Sequence, residues 1–394
     1  MTQNNRASVW QIFLTFLVLG LTSFGGPIAH IGYFHQAFIK QKKWLTEAEF
    51  SQLLAVCQFI PGPASSQLGF AIGFARGGML GGLAAFIGFT LPSVLALVAF
   101  VSMLPLLSSE LGSALIQGLK LVAVVIVADA VLGMTNKLCS DMKRRLIALT
   151  AAVILLLSPS TYTQVGVILL GALFGIWLCK NQPKTEQSSF QLPISSGVGK
   201  ACLLLFTLLL LAALVPHEHV IVQTLASLYQ AGAMVFGGGH VVLPYLEQSF
   251  VGQGLIDKET FLAGYGATQA VPGPLFTFAS YISAVIPTSL PIWQMVTLGT
   301  VAVFLPGFLL LFAALPAWQK VANNSLAKAA ITGVNASVVG VLAASFYDPI
   351  LTSSLLSLTD LGITIVGFAI IRIWHKPPIW VVVWALLAST VLAF

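Results

Sequence analysis

Gln-x-x-Pro-Gly-Pro occurs twice in this chain, at Gln58–Pro63 and Gln269–Pro274, 211 residues apart. Each copy lies in an apolar stretch and follows a Phe-Gly-Gly, at Phe24–Gly26 and Phe236–Gly238. From that Phe to the first Pro is 37 residues in one copy and 36 in the other. Two helix-breaking signatures in one order and at one spacing mark an internal duplication. Proline lacks a backbone donor and clashes with the preceding turn, so each Pro-Gly-Pro predicts a helix stopped and restarted inside an apolar run. Broken apolar helices at corresponding places in two halves point to the substrate site of a membrane transporter.

Composition agrees. Hydrophobic residues make up 57% of the chain and charged residues 8%, against about 25% charged in an ordinary soluble domain. The expected fold is an all-α polytopic membrane protein. Candidate spans are 9–30, 50–75, 80–104, 112–134, 146–158, 162–180, 199–215, 222–245, 260–286, 290–314, 327–347, 358–374 and 378–394, about thirteen in all. Those at 9–30, 50–75, 222–245 and 260–286 are interrupted by Gly or Pro and are broken or re-entrant. The chain divides into an N-terminal repeat (1–180), a linker with one connecting span (181–221) and a C-terminal repeat (222–394). Six spans, one, then six make the two repeats inverted.

With the N-terminus cytoplasmic, fourteen Lys and Arg fall inside and Lys40, Lys42 and Lys43 fall outside, the bias expected of cytoplasmic loops. The net charge of +6 is therefore read as topology rather than nucleic-acid binding. The N-terminal apolar run lacks a small-x-small cleavage site and reads as a retained first span. Cys57, Cys139, Cys179 and Cys202 show neither CxxC nor ligand spacing, so neither metal nor disulfide is expected. No phosphate-loop motif is present, and no cofactor is implied.

The second Pro of each element suits the first position of a new half-helix. The amides of Ala64, Ser65, Ser66 and Gln67, or of Leu275, Phe276 and Thr277, would then be free at the positive end of a helix dipole, which favours an anion. Ser65, Ser66 and Thr277 add hydroxyls, and Gln58 and Gln269 add amides before each break. Pro61, Gly62, Pro63 and Pro272, Gly273, Pro274 shape the backbone. A purely structural kink is the competing reading. Gly25, Gly26, Gly238 and Gly239 read as a second pair of breaks; His30 and His240 follow them at unequal offsets. Lys120 lies inside an apolar span, where a cation usually faces an interior cavity, and is the candidate for charge compensation; snorkelling is the alternative. Its counterpart in the second repeat is Asn335. Asp129 sits nine residues beyond Lys120 on the opposite helix face and is either a proton site or an interfacial acid. Gly69, Gly73, Gly77 and Gly81 read as helix-packing positions, and Arg76 gathers anions or merely follows the charge bias.

These motifs resemble the chromate ion transporter family: FGGPIAHIGYF (24–34), WLTEAEF (44–50), CQFIPGPASSQLGFAIG (57–73) and GFTLPS (88–93) in the first half, and FGGGHVVLPYLE (236–247) and GYGATQAVPGPLFTFASY (264–281) in the second. Both halves are covered, as in the long two-domain form. The resemblance implies a bacterial inner-membrane protein, without enzymatic activity, that exports chromate on the membrane potential or proton gradient. Sulfate, molybdate and other tetrahedral oxyanions share that size and charge, and an anion channel of the same fold is the second class. The expected partners are the oxyanion and the lipid bilayer. Nucleic acid is not expected, and a homodimer is left open.

Overall fold

A computed structural model describes residues 7–24, 26–104, 110–179, 192, 194–235, 242–318 and 324–392. The described residues form helices and turns, without strands. The first repeat supplies α1 (Val9–Thr22), α2 (Gly26–His35), α3 (Glu47–Phe59), α4 (Ala64–Met103), α5 (Glu110–Leu138), α6 (Met142–Leu157) and α7 (Thr161–Leu178). Then come the connecting α8 (Ser196–Leu214), α9 (Val220–Met234), α10 (Val242–Phe250), α11 (Lys258–Ala270), α12 (Phe278–Val285), α13 (Ile292–Ala314), α14 (Ser325–Ser345), α15 (Leu358–Arg372) and α16 (Ile379–Val391). Five helical stretches are long and apolar enough to cross a membrane: Ala64–Met103, Leu111–Leu138, Ser196–Leu214, Ile292–Ala317 and Ser325–Ser354. Their presence agrees with a polytopic membrane protein.

The chain condenses into two compact units. Unit 1 comprises 1–98, 186–239 and 271–321; unit 2 comprises 99–185, 240–270 and 322–394. Each unit draws segments from both sides of the linker.

In unit 1, α4 is one run in name only. Gly77 and Gly78 leave helical geometry, Gly78 at φ +64°, a region open to glycine. The chain folds back there, so Gly73 packs against the Gly81 carbonyl and Gly82 against the Phe70 ring. The packing expected of this glycine series thus joins the two arms of one hairpin, 64–76 and 79–103. The Arg76 Nη1 donates to the Trp44 carbonyl at 3.3 Å, and its guanidinium lies 5.9 Å from the Trp44 ring centre. A Cβ on Gly77 would lie 2.8 Å from the tip of Ile12 and 3.9 Å from the Ala7 carbonyl. Residues 7–12, 44 and 76–77 therefore gather at one end of unit 1. Likewise Pro287–Ser289, just past α12, share a cavity with Glu218–Ile221 at the start of α9.

Close crossings recur at repeat-related positions. A Cβ on Gly20 of α1 would lie 2.7 Å from the Phe89 carbonyl of α4. Gly232 of α9, the matching position in the second repeat, meets the Val303 carbonyl of α13 in the same way. In unit 2 the crossings exchange partners between repeats. Gly118 of α5 packs on Ala385 of α16, and Gly333 of α14 packs on Gly171 of α7. Val125 of α5 meets Gly367 of α15, and Gly340 of α14 meets Ala148 of α6. Small residues at these points allow backbones to touch, which in lipid replaces the hydrophobic drive for helix association.

Candidate substrate site

The first Pro-Gly-Pro breaks its helix as expected. Pro61 pushes Ile60 to an extended conformation (φ −85°, ψ 152°), as a residue before proline must be. Gly62 has φ +121°. The helix restarts at Ala64, with Pro63 in the flanking cap position rather than inside the first turn. In the second element α11 stops at Ala270, Gly273 has φ +114°, and a short 3₁₀ turn, Leu275–Thr277, leads into α12.

The two glycines do something the sequence does not announce. The Gly62 amide donates to the Val235 carbonyl at 2.7 Å, and the Gly273 amide donates to the Ser23 carbonyl at 3.0 Å. Ser23 and Val235 are themselves repeat counterparts, each one residue before its Phe-Gly-Gly. Each Pro-Gly-Pro thus ties to the end of the other repeat's first helix. A Cβ on Gly62 would fall 2.9 Å from Gly307 Cα, and one on Gly273 would fall 2.9 Å from Ser93 Oγ. Ser93 and Gly307 follow Pro92 and Pro306, the prolines inside α4 and α13. All of these residues lie in unit 1 and form a reciprocal hub.

His30 is fully buried in this hub. Its Nε2 lies 3.2 Å from the Ser23 carbonyl and its Nδ1 lies 3.4 Å from Ser65 Oγ, so an Nε2–H tautomer serves both contacts. Its ring meets Phe89 edge-on at 5.2 Å. Gln67 Nε2 donates to the Pro61 and Gly307 carbonyls at 3.0 and 2.9 Å. Four buried polar atoms here have no hydrogen-bond partner: Ser23 Oγ, Ser66 Oγ, Thr90 Oγ1 and Gln67 Oε1. Buried polar groups in native proteins are nearly always paired, so such a cluster calls for a partner. Apart from His30, no Asp, Glu, Lys, Arg or His side chain is buried among the described residues of unit 1.

The expectation of free amides needs correcting at two positions. Gln67 N bonds the Pro63 carbonyl at 2.9 Å, and Thr277 N bonds the Pro274 carbonyl at 3.0 Å. Both close the first turn of their own helix. Ala64, Ser65 and Ser66 keep first-turn amides with no acceptor in their own helix, and Leu275 and Phe276 precede the first closing bond of theirs. The Thr277 hydroxyl is occupied by the Pro274 carbonyl at 2.6 Å. Pro61 and Pro272 are half-buried, while Gln58 is exposed.

Lys120, Gln269 and Asn335 belong to unit 2. Lys120 is buried, 4% exposed, and its amine stands 3.7 Å from Glu259 at the start of α11. Gln269 is ten residues further along α11, roughly 15 Å away at helical rise. Its buried Nε2 has no partner, and neither does Asn335 Oδ1. Leu119, next to Lys120, packs on Gly266 of α11, and the Lys120 amine is directed to Glu259. Asp129 pairs with Arg372 at 2.6 Å and not with Lys120. Arg76 is twelve residues beyond Ala64 on one helical arm, about 18 Å from the break. Gly26 opens α2 at φ +74°. Gly25, Gly238, Gly239 and His240 lie outside the described residues.

Sequence reasoning missed Ser23, Thr90, Ser93, Val235 and Gly307. The signal existed in the repeated Leu-Pro of Leu91-Pro92 and Leu305-Pro306. It also missed a charge-inverted pair. His35 Nε2 bonds Glu47 at 2.8 Å, with Lys40 3.4 Å from the same carboxylate, which holds that carboxyl below its usual range. The repeat counterparts are Glu247 and Lys258. Glu247 lines a cavity in unit 2 with Ser160, Gln164, Gln248 and Asp348. Burial pushes its carboxyl up to about 7, against the pull of Lys258 and with the help of Asp348.

Comparison with known proteins now gives the chain its context. A family model described as chromate transporter matches residues 10–176 and again residues 222–390. A chromate transport protein of Pseudomonas aeruginosa is 27% identical over 372 residues, 93% of this chain and 88% of the relative. A chromate transport protein of Cupriavidus metallidurans is 26% identical over 342 residues, 84% and 80% respectively. An uncharacterized transporter of Methanocaldococcus jannaschii is 26% identical over 349 residues, 87% and 85%. No solved structure matches the chain. Two matches of one model, together spanning most of the sequence, establish that the chain belongs to the chromate transporter family, a family of transporters and not of enzymes.

Proposed function

We propose that the protein is a secondary active transporter that exports chromate, or a related tetrahedral oxyanion, across a bacterial inner membrane. Chromate transport itself is supported by the family and its relatives. The observation that carries the site is the hub of unit 1: uncommitted first-turn amides at Ala64–Ser66 beside unpaired buried hydroxyls on Ser23, Ser66 and Thr90. Neutral donors of this kind can replace the hydration of an oxyanion at a helix N-terminus. They leave its charge intact. A dianion leaving a cell with a negative interior gains about 4.6 kcal/mol per 100 mV, at about 2.3 per charge. Membrane potential therefore favours export, with or without proton coupling.

The four interrupted segments are re-entrant hairpins in this reading. The gathering of Ala7, Trp44 and Gly77 at one end of unit 1 supports it, as does the return of Pro287–Ser289 to Glu218. The remaining nine segments cross: the second arm of α4, then α5, α6, α7, α8, α13, α14, α15 and α16. The repeats stay inverted, since α8 still turns the second one over. The charge bias sharpens. Lys40, Lys42 and Lys43 move inside, and of the eighteen Lys and Arg only Lys258 stands outside and Lys120 within a span.

Radiolabelled chromate flux in proteoliposomes under an imposed potential tests the function, with sulfate and molybdate as competitors. Flux that follows potential and shows counterflow supports the transporter. Flux without counterflow would favour an anion channel, and no flux at all would reject both.

A further inference from the structure

In unit 1 a groove of about 480 Å³ runs along α1 and the turn after α2. One end is lined by Ser8, Gln11, Gln41 and Lys42, and the other by Leu14 and Val18. It opens outward: Trp10 is 66% exposed and Val18 59%. The turn at Gln36–Gln41 is a π-helix, a rare geometry found mostly as single turns and frequently at functional sites. Directly after it stand Lys42, 5.6 Å from the centre of the Trp44 ring, and Lys43 at φ +50°, a geometry rare outside glycine. Lys40 completes the basic cluster, sharing Glu47 with His35. Two carboxylate-paired groups thus leave Lys42 and Lys43 as surplus positive charge, with Lys42 itself lining the polar mouth of an apolar slot.

We infer that this groove is a binding site for an anionic phospholipid of the cytoplasmic leaflet. The phosphate sits at Lys42, Gln41 and Ser8, and one acyl chain lies along Leu14 and Val18. Charge complementarity selects this occupant: basic pockets at the cytoplasmic side of membrane proteins attract anionic headgroups. A chain segment of this protein or a second copy would have to bring an acidic group to the same mouth. The choice of leaflet rests on the hairpin topology proposed above; the site does not depend on what the transporter carries.

The test is lipid retention by native mass spectrometry of protein purified in mild detergent, after exchange into equal phosphatidylglycerol and phosphatidylcholine. Wild type should retain phosphatidylglycerol over phosphatidylcholine by about tenfold, the size of effect that one to two lysines at a headgroup supply. The triple variant Lys40→Gln, Lys42→Gln, Lys43→Gln should retain the two lipids equally. Val18→Trp, which fills the apolar slot, should lose both. Glycerol phosphate and inorganic phosphate at millimolar concentration should not displace the lipid, which separates a lipid site from a simple anion site. Equal retention of both lipids by wild type would overturn the proposal, and so would displacement by free phosphate. A disulfide-linked dimer formed by Trp10→Cys in membranes would overturn it in favour of a second copy.

Discussion

Among single residues, Gly62 and Gly273 carry the sharpest consequences. Both need positive φ, and both press a missing Cβ against the other repeat's proline helix. Replacing either by Ala should therefore abolish transport and lower the amount of folded protein, by about 1–3 kcal/mol in overpacking alone. Gly133→Ala, where no atom lies within 4 Å, should behave as wild type. Equal tolerance at all three positions, read by flux and by melting in detergent, would reduce the hub to a passive kink. Ser66→Ala and Thr90→Val should reach the membrane normally yet lose at least about tenfold in chromate flux, since each deletes an uncommitted hydroxyl whose bond to a charged oxyanion is worth about 1.5–3 kcal/mol. Glu247 offers a pH handle. Its raised pKa means the neutral form is favoured in place; the burial cost of the charged form enters as pH rises from the ordinary carboxylate range through about 7. Flux measured from pH 6 to 8 should change about pH 7 in wild type. Glu247→Gln should flatten that profile, and an unchanged profile would remove Glu247 from any coupling role.

Among the helices, the short ones work because each break is answered elsewhere. Thr46 and Asp257, at corresponding places in the two repeats, cap α3 and α11, and each helix then ends at its Pro-Gly-Pro. The sequence showed where these helices stop. It did not show that the freed Gly amides are satisfied by carbonyls in the opposite half of the chain, because hydrogen-bond partners over that separation leave no local periodicity. Lys120 illustrates the same limit. Its burial in an apolar helix was legible, but the direction of its amine was not, and the structure turns it to Glu259. If the pair holds α5 to α11, Lys120→Glu should lose folded protein and Lys120→Glu with Glu259→Lys should recover part of it. Recovery of stability without recovery of flux would leave the Lys120 charge itself in the transport step. No recovery of either would show the pair to be incidental.

Across the molecule, each compact unit interleaves both repeats, through the paired amide–carbonyl bonds in unit 1 and the exchanged glycine crossings in unit 2. A lone repeat would expose half of every such contact. The hairpin topology makes a prediction that thirteen simple crossings do not share. In a Cys-free background, Glu218→Cys should label with an impermeant thiol reagent on intact cells, and Ser140→Cys should label only after the membrane is opened; both topologies agree there. Lys43→Cys should behave like Ser140→Cys if the segments are hairpins, and like Glu218→Cys if they cross. Lys258→Cys should give the opposite pattern.

The class of molecule and its duplication follow from the order of amino acids, because hydropathy, proline chemistry and charge bias are local properties that survive without a fold. Gln58–Pro63 and Gln269–Pro274 were enough to locate the helix breaks. Which carbonyls those breaks would bind, which hydroxyls would be left buried without partners, and that the Lys120 amine would meet Glu259 emerged with the folded chain. Those outcomes depend on which helices of one repeat are packed against the other. In a chain this uniformly apolar, many pairings bury similar surface, and close approach at a few glycines selects among them.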